Sequence, residues 1–442
     1  MSRDEPPKTA GQGTPAARRG TWAKVASVVT AAAISAGGWV WLRDHPAPPP
    51  PPSLTAPSMT LRALPTEGPD AYAAWPRLAE AGWARESFFP VGLWFATAGT
   101  AGQVAADRAM GVNTYLELTA GSRPRLLREA GMTVLSTERP PGTGAETVGA
   151  TLPAKADEWA GIGQSRWSGG TGRAPCRPTL SYCGYTVLST SAARLPRGAG
   201  PVYATFGKGV VHQATDPQAG RFVNDYADLV GVDVNWYADE NVCDEAARWR
   251  QLPAAQCRLA ANYGATVDRV RELDARDGLR RPVFAVISLA GLTPGQVGGA
   301  VMSSLIHGAR GIIYDPHGPG GRCAGDDLLR GACGARLRQA VTELNARIKR
   351  LAPVLNGPSY AYDFAPELDT VLKEHDGAYY LFAMPGRGAA TGEHTLTVPA
   401  NLSRSGLVED HLTGRPIETD REGRFTATFA TEHDYHVYRI TP

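Results

Sequence analysis

From about residue 88 the chain alternates short apolar runs with stretches of helical periodicity. The runs are FFPVGLWF (88–95), VNTYLEL (112–118), MTVLST (132–137), TVGATL (147–152), PVYATF (201–206), LVGVDVNWY (229–237), PVFAVISL (282–289) and GIIYDP (311–316). Several are β-branched and nearly continuous, as expected of parallel strands covered on both faces. Between them lie helical patterns such as AGQVAADRAM (101–110), RPRLLREA (123–130), CRLAANYGATVDRVRELDA (257–275) and GQVGGAVMSSLIHGA (295–309). Strands joined by helical crossovers in this number predict an α/β fold, a (β/α)8 TIM barrel. The spacing is least regular around 147–200, which makes the fourth strand the weakest member.

A long helical pattern, ARLRQAVTELNARIKRLAPVL (335–355), closes this region. The period then drops from about 3.6 to 2. TVLKEHD (370–376), AYYLFAMP (378–385), HTLTVPA (394–400), VEDHLTG (408–414), RFTATFA (424–430) and YHVYRI (435–440) alternate between turn residues. They predict a small all-β antiparallel sandwich over 357–442.

The N-terminus is organised differently. Residues 1–24 are polar and carry Arg3, Lys8, Arg18, Arg19 and Lys24. Residues 25–42, VASVVTAAAISAGGWVWL, carry no charge and are just long enough to cross a bilayer as a helix. Basic residues precede the run, so the positive-inside rule leaves the first residues in the cytoplasm. Trp39 and Trp41 fall where an interfacial belt would lie. Two readings stand: an uncleaved transmembrane anchor, or a signal segment cleaved near Ala36. A proline-rich linker, 43–66, follows, and its run Pro48–Pro52 is a stiff spacer. The barrel is expected over 67–356. Either reading puts the body outside the cytoplasm, held to the membrane by one N-terminal helix or secreted.

Cysteine usage agrees with that compartment. The six cysteines are Cys176, Cys183, Cys243, Cys257, Cys323 and Cys333, with no C-x-x-C spacing. That pattern fits disulfides in an oxidising compartment better than zinc or redox motifs. Local pairing, 176–183, 243–257 and 323–333, closes three short loops. The net charge of +2 offers no nucleic-acid footprint. His212, His307 and His317 show no ligand spacing, so neither a metal nor another cofactor is expected.

The texts FFPVGLWF, GVNTYLEL, LLREAGMTVL, ANYGATVDRVRELD, RPVFAVI, SSLIHGARGIIY and IKRLAPVLN together resemble glycoside-hydrolase-type barrel proteins of actinobacteria and their phages. The tail GRFTATFATEHDYHVYRI is similar to the β-sandwich end of that family. The resemblance covers about residues 85–442. It implies a site at the C-terminal ends of the barrel strands, with polysaccharide or another glycan as the partner.

Glycoside hydrolysis usually takes two carboxyl groups. The resemblance implies an acid/base in an Asp-Glu pair after strand four and a nucleophilic glutamate after strand seven. Here the first text is LPAKADEWAG (152–161). Without a gap, Ala154 and Lys155 occupy the acidic pair; a three-residue shift restores it as Asp157 and Glu158. The second text is FAVISLAG (284–291), with Ser288 at the glutamate position. Serine cannot serve as that nucleophile without an activating base. Asp157, Glu158 and Asp233 are the catalytic candidates. Glu117 and Glu138 are further acids on the expected open face. Trp94, Trp236, Tyr237, Tyr314, Asp239, Glu240 and Asp315 are the substrate-binding candidates, with Trp159 and Trp167 in the loop after strand four. Two functions stay open: an active cell-surface glycosidase, and a catalytically degenerate barrel that binds glycan or serves as a surface scaffold.

Overall fold

The computed structural model describes residues 55, 58–65, 68–137, 147–159, 183–196, 198, 200–317, 327–404 and 406–442. The apolar run 25–42, the proline run, Glu138, Trp167, Cys176, Cys323 and the side chain of Trp159 lie outside the described residues. No helix among the described residues is long and apolar enough to cross a membrane.

The first strand, β1 (Arg62–Leu64), precedes the barrel. The barrel strands are β2 (Val91–Ala96), β3 (Thr114–Leu118), β4 (Thr133–Leu135), β5 (Ala150–Thr151), β6 (Val202–Phe206), β7 (Leu229–Val232), β8 (Val283–Ser288) and β9 (Gly311–Asp315). They form one parallel sheet in the order β4-β3-β2-β9-β8-β7-β6-β5. A parallel bridge from Leu135 to Gly149 joins β4 to β5 and closes the ring. All eight apolar runs contain a strand. The closure is tight: a side chain on Gly149 would meet the Pro201 carbonyl at 2.6 Å. Helices on the outer face begin with Thr-x-x-Gln capping boxes at Thr100/Gln103 and Thr293/Gln296, which satisfy otherwise unpaired amides.

Alternation decides what fills the lumen. Leu116, Leu135, Tyr203, Leu229, Phe284, Val286 and Ile313 form one inner cluster, with Trp94 packed on it. Tyr72, Leu78 and Trp83 belong to the same cluster and plug the N-terminal end of the barrel. Trp83 stacks on Phe284 at 6.2 Å, and its indole N–H donates to Thr133 Oγ1 at 3.3 Å. With that end plugged, the C-terminal ends of the strands are the end of the lumen left uncovered by this cluster among the described residues.

The second layer is a seven-stranded antiparallel sheet. It comprises β1, β10 (Ser359–Ala361), β11 (Leu368–His375), β12 (Ala378–Pro385), β17 (His436–Ile440), β14 (Val408–Asp410) and β15 (Arg415–Ile417), in that spatial order. A two-stranded sheet, β13 (Gly392–Thr397) with β16 (Arg424–Phe429), covers its outer face. Along β12, Tyr380, Phe382 and Met384 join the barrel's core, whereas Leu381 and Ala383 join the sandwich's. One sheet is therefore hydrophobic on both faces. The segment read from sequence as the end of the linker departs from expectation, because residues 62–64 pair with β10. The three-residue strands β1, β10 and β15 escaped the sequence reading because they are too short to show alternation.

Cys243 and Cys257 form a disulfide with a Cα–Cα distance of 5.7 Å. Cys183 and Cys333 are also disulfide-bonded, to partners outside the described residues.

Candidate functional site

The open end of the lumen carries charge. By the same alternation that places Leu229, Gly231 presents its face inward and Asp233 follows it. Ser288 and Asp315 end the neighbouring strands and pair in register. Asp233 is 3% exposed, and its Oδ2 lies 2.7 Å from Lys155 Nζ. Burial works against the Lys155 ammonium, yet Asp233, Glu158 and Asp157 more than offset it and hold its pKa above the ordinary value. At neutral pH this lysine is an ammonium ion, so it supplies a cation and not a nucleophilic amine.

Lys155 reaches this place through its backbone. Its N–H donates to the Thr205 carbonyl at 2.7 Å, which fixes it beside β6. Its φ is +51°, and the helix Ala156–Trp159 starts at the next residue. Two other non-glycine residues of the open end share this conformation, Phe95 and Glu117, both at φ +51°. They face each other across adjacent strands, where the register passes from Trp94–Leu116 to Ala96–Leu118. Left-handed backbone at non-glycine residues costs about 1–2 kcal/mol each, and such strain clusters at functional sites. Phe95 is 40% exposed as a result, and its ring lies 5.2 Å from the half-buried Trp94.

The Asp157–Glu158 pair divides its work. Asp157 is fully buried and accepts N–H bonds from Gly207 (3.0 and 3.1 Å) and Val210 (2.7 Å). It holds the turn after β6 and has no path to a ligand in the lumen. Burial and the Glu158 charge push its carboxyl up, while the two amides pull it back. Glu158 accepts the Lys208 N–H at 2.6 Å. Burial raises its pKa, and the charges of Lys155 and Lys208 with the Lys208 amide lower it, leaving it above the ordinary value. Gly207 makes room for it. A side chain there would meet Glu158 Oε1 at 2.0 Å and the Asp233 carbonyl at 3.4 Å. The Asp233 charge also acts on Glu158 and adds to the rise in its pKa, so the two carboxyl groups are electrostatic neighbours.

Lys208 ties the rim together. Its ammonium lies 2.9 Å from both Asp239 Oδ2 and Glu245 Oε2. Burial pushes Asp239 up, but the Lys208 ammonium and the Asn241 amide bring it below its ordinary value. Burial and the nearby Asp233 push Asp315 up, against the His317 amide and the charges of His317 and Lys155. Glu240 is exposed at the edge of this group.

Three aromatic candidates are corrected. Trp236 is 2% exposed, with its N–H donating to Thr266 Oγ1 at 2.9 Å. Tyr237 is buried and donates its hydroxyl to Glu432 Oε1 at 2.9 Å. Tyr314 is fully buried and donates to Asn345 Oδ1 at 2.9 Å. None offers a face to a sugar ring. For Tyr314 the reason is parity: it shares a face with Ile312, toward the helices, while Asp315 shares the lumen face with Ile313. Phe95 was missed for the converse reason. Simple alternation turns it outward, and only the left-handed residue reverses that. Among the described residues no group of three or more His, Cys, Asp or Glu side chains could hold a metal ion.

No protein-family model matches the chain, and no curated protein matches it. Solved structures similar to it include an Anoxybacillus α-amylase, with a TM-score of 0.40, 11% identity, 81% of this chain and 98% of that chain covered. A Geobacillus thermoleovorans α-amylase complexed with acarbose has a TM-score of 0.40 and 9% identity, covering 81% of this chain and 99% of that one. A GH5_18 protein from Bifidobacterium longum subsp. infantis has a TM-score of 0.36 and 10% identity, covering 59% and 79%. These neighbours are glycoside hydrolases, and similarity this distant assigns no role to any residue of the present chain.

Proposed function

We propose that this chain is a glycan-binding barrel of glycoside-hydrolase type that works outside the cytoplasm without a retaining glycosidase's carboxylate pair. The observation that carries the reading is the Lys155–Asp233 ion pair across the lumen mouth. The ammonium ion there occupies Asp233 Oδ2, an oxygen that a nucleophile or base would present to the substrate. Ser288 leaves the end of β8 without a carboxyl group, and Asp157 is consumed by backbone amides. The features that remain suit recognition. Phe95 gives an exposed apolar ring, Trp94 supports it, and Asp239, Glu240 and Asp315 supply acceptors for sugar hydroxyls. The disulfides at Cys243–Cys257, Cys183 and Cys333 support an oxidising compartment. An anchor or cleaved signal at 25–42 would deliver the body there.

The test is a panel of soluble glycans offered to the purified protein, with binding and released reducing ends read in parallel. Saturable binding without turnover is the expected result. Turnover that Glu158→Gln abolishes would overturn it in favour of a hydrolase. One observation keeps that second reading specific. The pKa of Glu158 is raised by burial, as a general acid's must be, and the nearby Asp233 charge adds to that rise, which marks Asp233 as its partner in that reading.

A further inference from the structure

A second cavity lies on the flank of the barrel, behind the turn that follows β6. It measures about 470 Å³ and is enclosed by the turn Gly209–Gln213, the helices Val242–Arg250 and Ala261–Asp274, and Arg387 from the turn after β12. His212 lines it. That side chain is 2% exposed, and both ring nitrogens are buried with no hydrogen-bond partner among the described residues. A buried imidazole normally satisfies at least one nitrogen. Trp236 fixes the ring edge-on at 5.1 Å and offers it no polar atom. Beside it, Arg269 spends Nη1 on Asp216 at 2.7 Å, while its buried Nε and Nη2 also lack partners.

The rim adds cations. Arg250 donates to the Val211 carbonyl at 2.8 Å and the Ala214 carbonyl at 3.3 Å. Arg387 donates to Asn262 Oδ1 at 2.6 Å. Neither has a carboxylate within ion-pair distance among the described residues. Two acids also line the cavity: Asp268 is tied to His307 at 2.5 Å, and Glu272 is exposed at the edge. The balance is an excess of donors around an orphaned histidine. Burial first, and then the charges of Arg250, Lys208 and Arg387, lower the His212 pKa to about 4 against the pull of Asp239, so the ring is neutral at pH 7.

We infer that this cavity is a binding site for a small oxyanion of the phosphate class, held by Arg250, Arg269 and Arg387 with His212 as a further partner. An oxyanion suits this excess of donors, because guanidinium groups bind it through paired charge-assisted hydrogen bonds. The anion could be free, or the charged substituent of a sugar. The site is separate from the lumen mouth, so it stands whether or not that mouth binds glycan.

The experiment titrates inorganic phosphate, and in a second arm a hexose phosphate, into the full chain at constant ionic strength set with chloride. Calorimetry gives the affinity, and the His212 ring signals in a nitrogen-correlated NMR spectrum report the place. Saturable binding that moves the His212 signals is expected, weakened about tenfold by Arg387→Gln, the loss of one charge-assisted contact. Tighter binding of the hexose phosphate would make the anion sugar-borne; equal binding would make it free. Arg387 is exposed and the Gln side chain keeps an amide N–H for Asn262 Oδ1, and the variant's melting temperature, measured beside its binding, confirms that it is folded. Binding unaffected by Arg387→Gln, binding that leaves His212 unmoved, or no saturable binding in either arm would each overturn the inference.

Discussion

Lys155 Nζ lies 2.7 Å from Asp233 Oδ2, and the two side chains differ sharply in access to water, 34% against 3% exposed. The lysine is the solvated partner and the aspartate the buried one. Removing the lysine therefore strands a buried charge. Lys155→Met is expected to cost roughly 1–3 kcal/mol, the penalty for leaving a buried acceptor unsatisfied. The double variant Lys155→Met/Asp233→Asn should recover part of it. Urea unfolding of the four proteins gives the coupling energy directly. Strictly additive losses would mean that the pair contributes nothing.

Asp157 and Glu158 are neighbours with different accounts to settle. Asp157→Asn puts an amide N–H₂ against the donors of Gly207 and Val210, so about 1–3 kcal/mol should be lost. Glu158→Gln keeps an oxygen for the Lys208 N–H and should cost under about 1 kcal/mol. Thermal melts at pH 7 separate them. Equal losses would contradict the division of roles.

Phe95 holds a left-handed backbone and an exposed ring at once. Phe95→Gly relieves the first and removes the second. Stability should rise by about 0.5–1 kcal/mol or stay level, while affinity for any glycan the panel identifies should fall about fivefold or more, as loss of an aromatic face implies. A variant that loses stability and keeps its affinity would show that the ring serves packing.

His307 sits between two carboxylates, with Nδ1 2.5 Å from Asp268 Oδ2 and Nε2 3.2 Å from Asp369 Oδ2. Asp268 belongs to a barrel helix and Asp369 to β11, so the imidazolium joins barrel to sandwich. Burial lowers its pKa, but the two carboxylates dominate and carry it from 6.5 to about 10. A raised folded pKa means that the contribution is fully present below about 6.5 and is lost as pH rises through about 10. His307→Gln should cost on the order of 3 kcal/mol at pH 6, allowing for solvent at half-exposed Asp268, and progressively less toward pH 10. Denaturant midpoints of both proteins across that range check the sign. A difference independent of pH would remove the ionic explanation.

The strand runs were legible because burial on both faces demands continuous apolar segments, and the barrel and sandwich followed from two periods, 3.6 and 2. The same alternation already separated Tyr314 from Asp315, although the open-face reading grouped them. Trp236 and Tyr237 were beyond it. They lie past the end of β7, where Thr266 and Glu432, distant in sequence, capture their polar atoms. The cysteine couple 243–257 was legible from its short separation alone.

By itself, then, the sequence determined where the chain extends, where it coils and which residue types stand near the lumen mouth, because those depend on local pattern. Only the tertiary structure decided what each side chain does there. The signs of φ at Phe95, Glu117 and Lys155 are imposed by neighbouring strands such as β6, whose Thr205 carbonyl holds the Lys155 amide. One reversed residue turns a side chain to the other face of a sheet, and no local period records it. Whether an acid faces ligand, lysine or backbone amide depends on partners about 50 or more residues away, as Asp157 with Gly207 and Lys155 with Asp233 show.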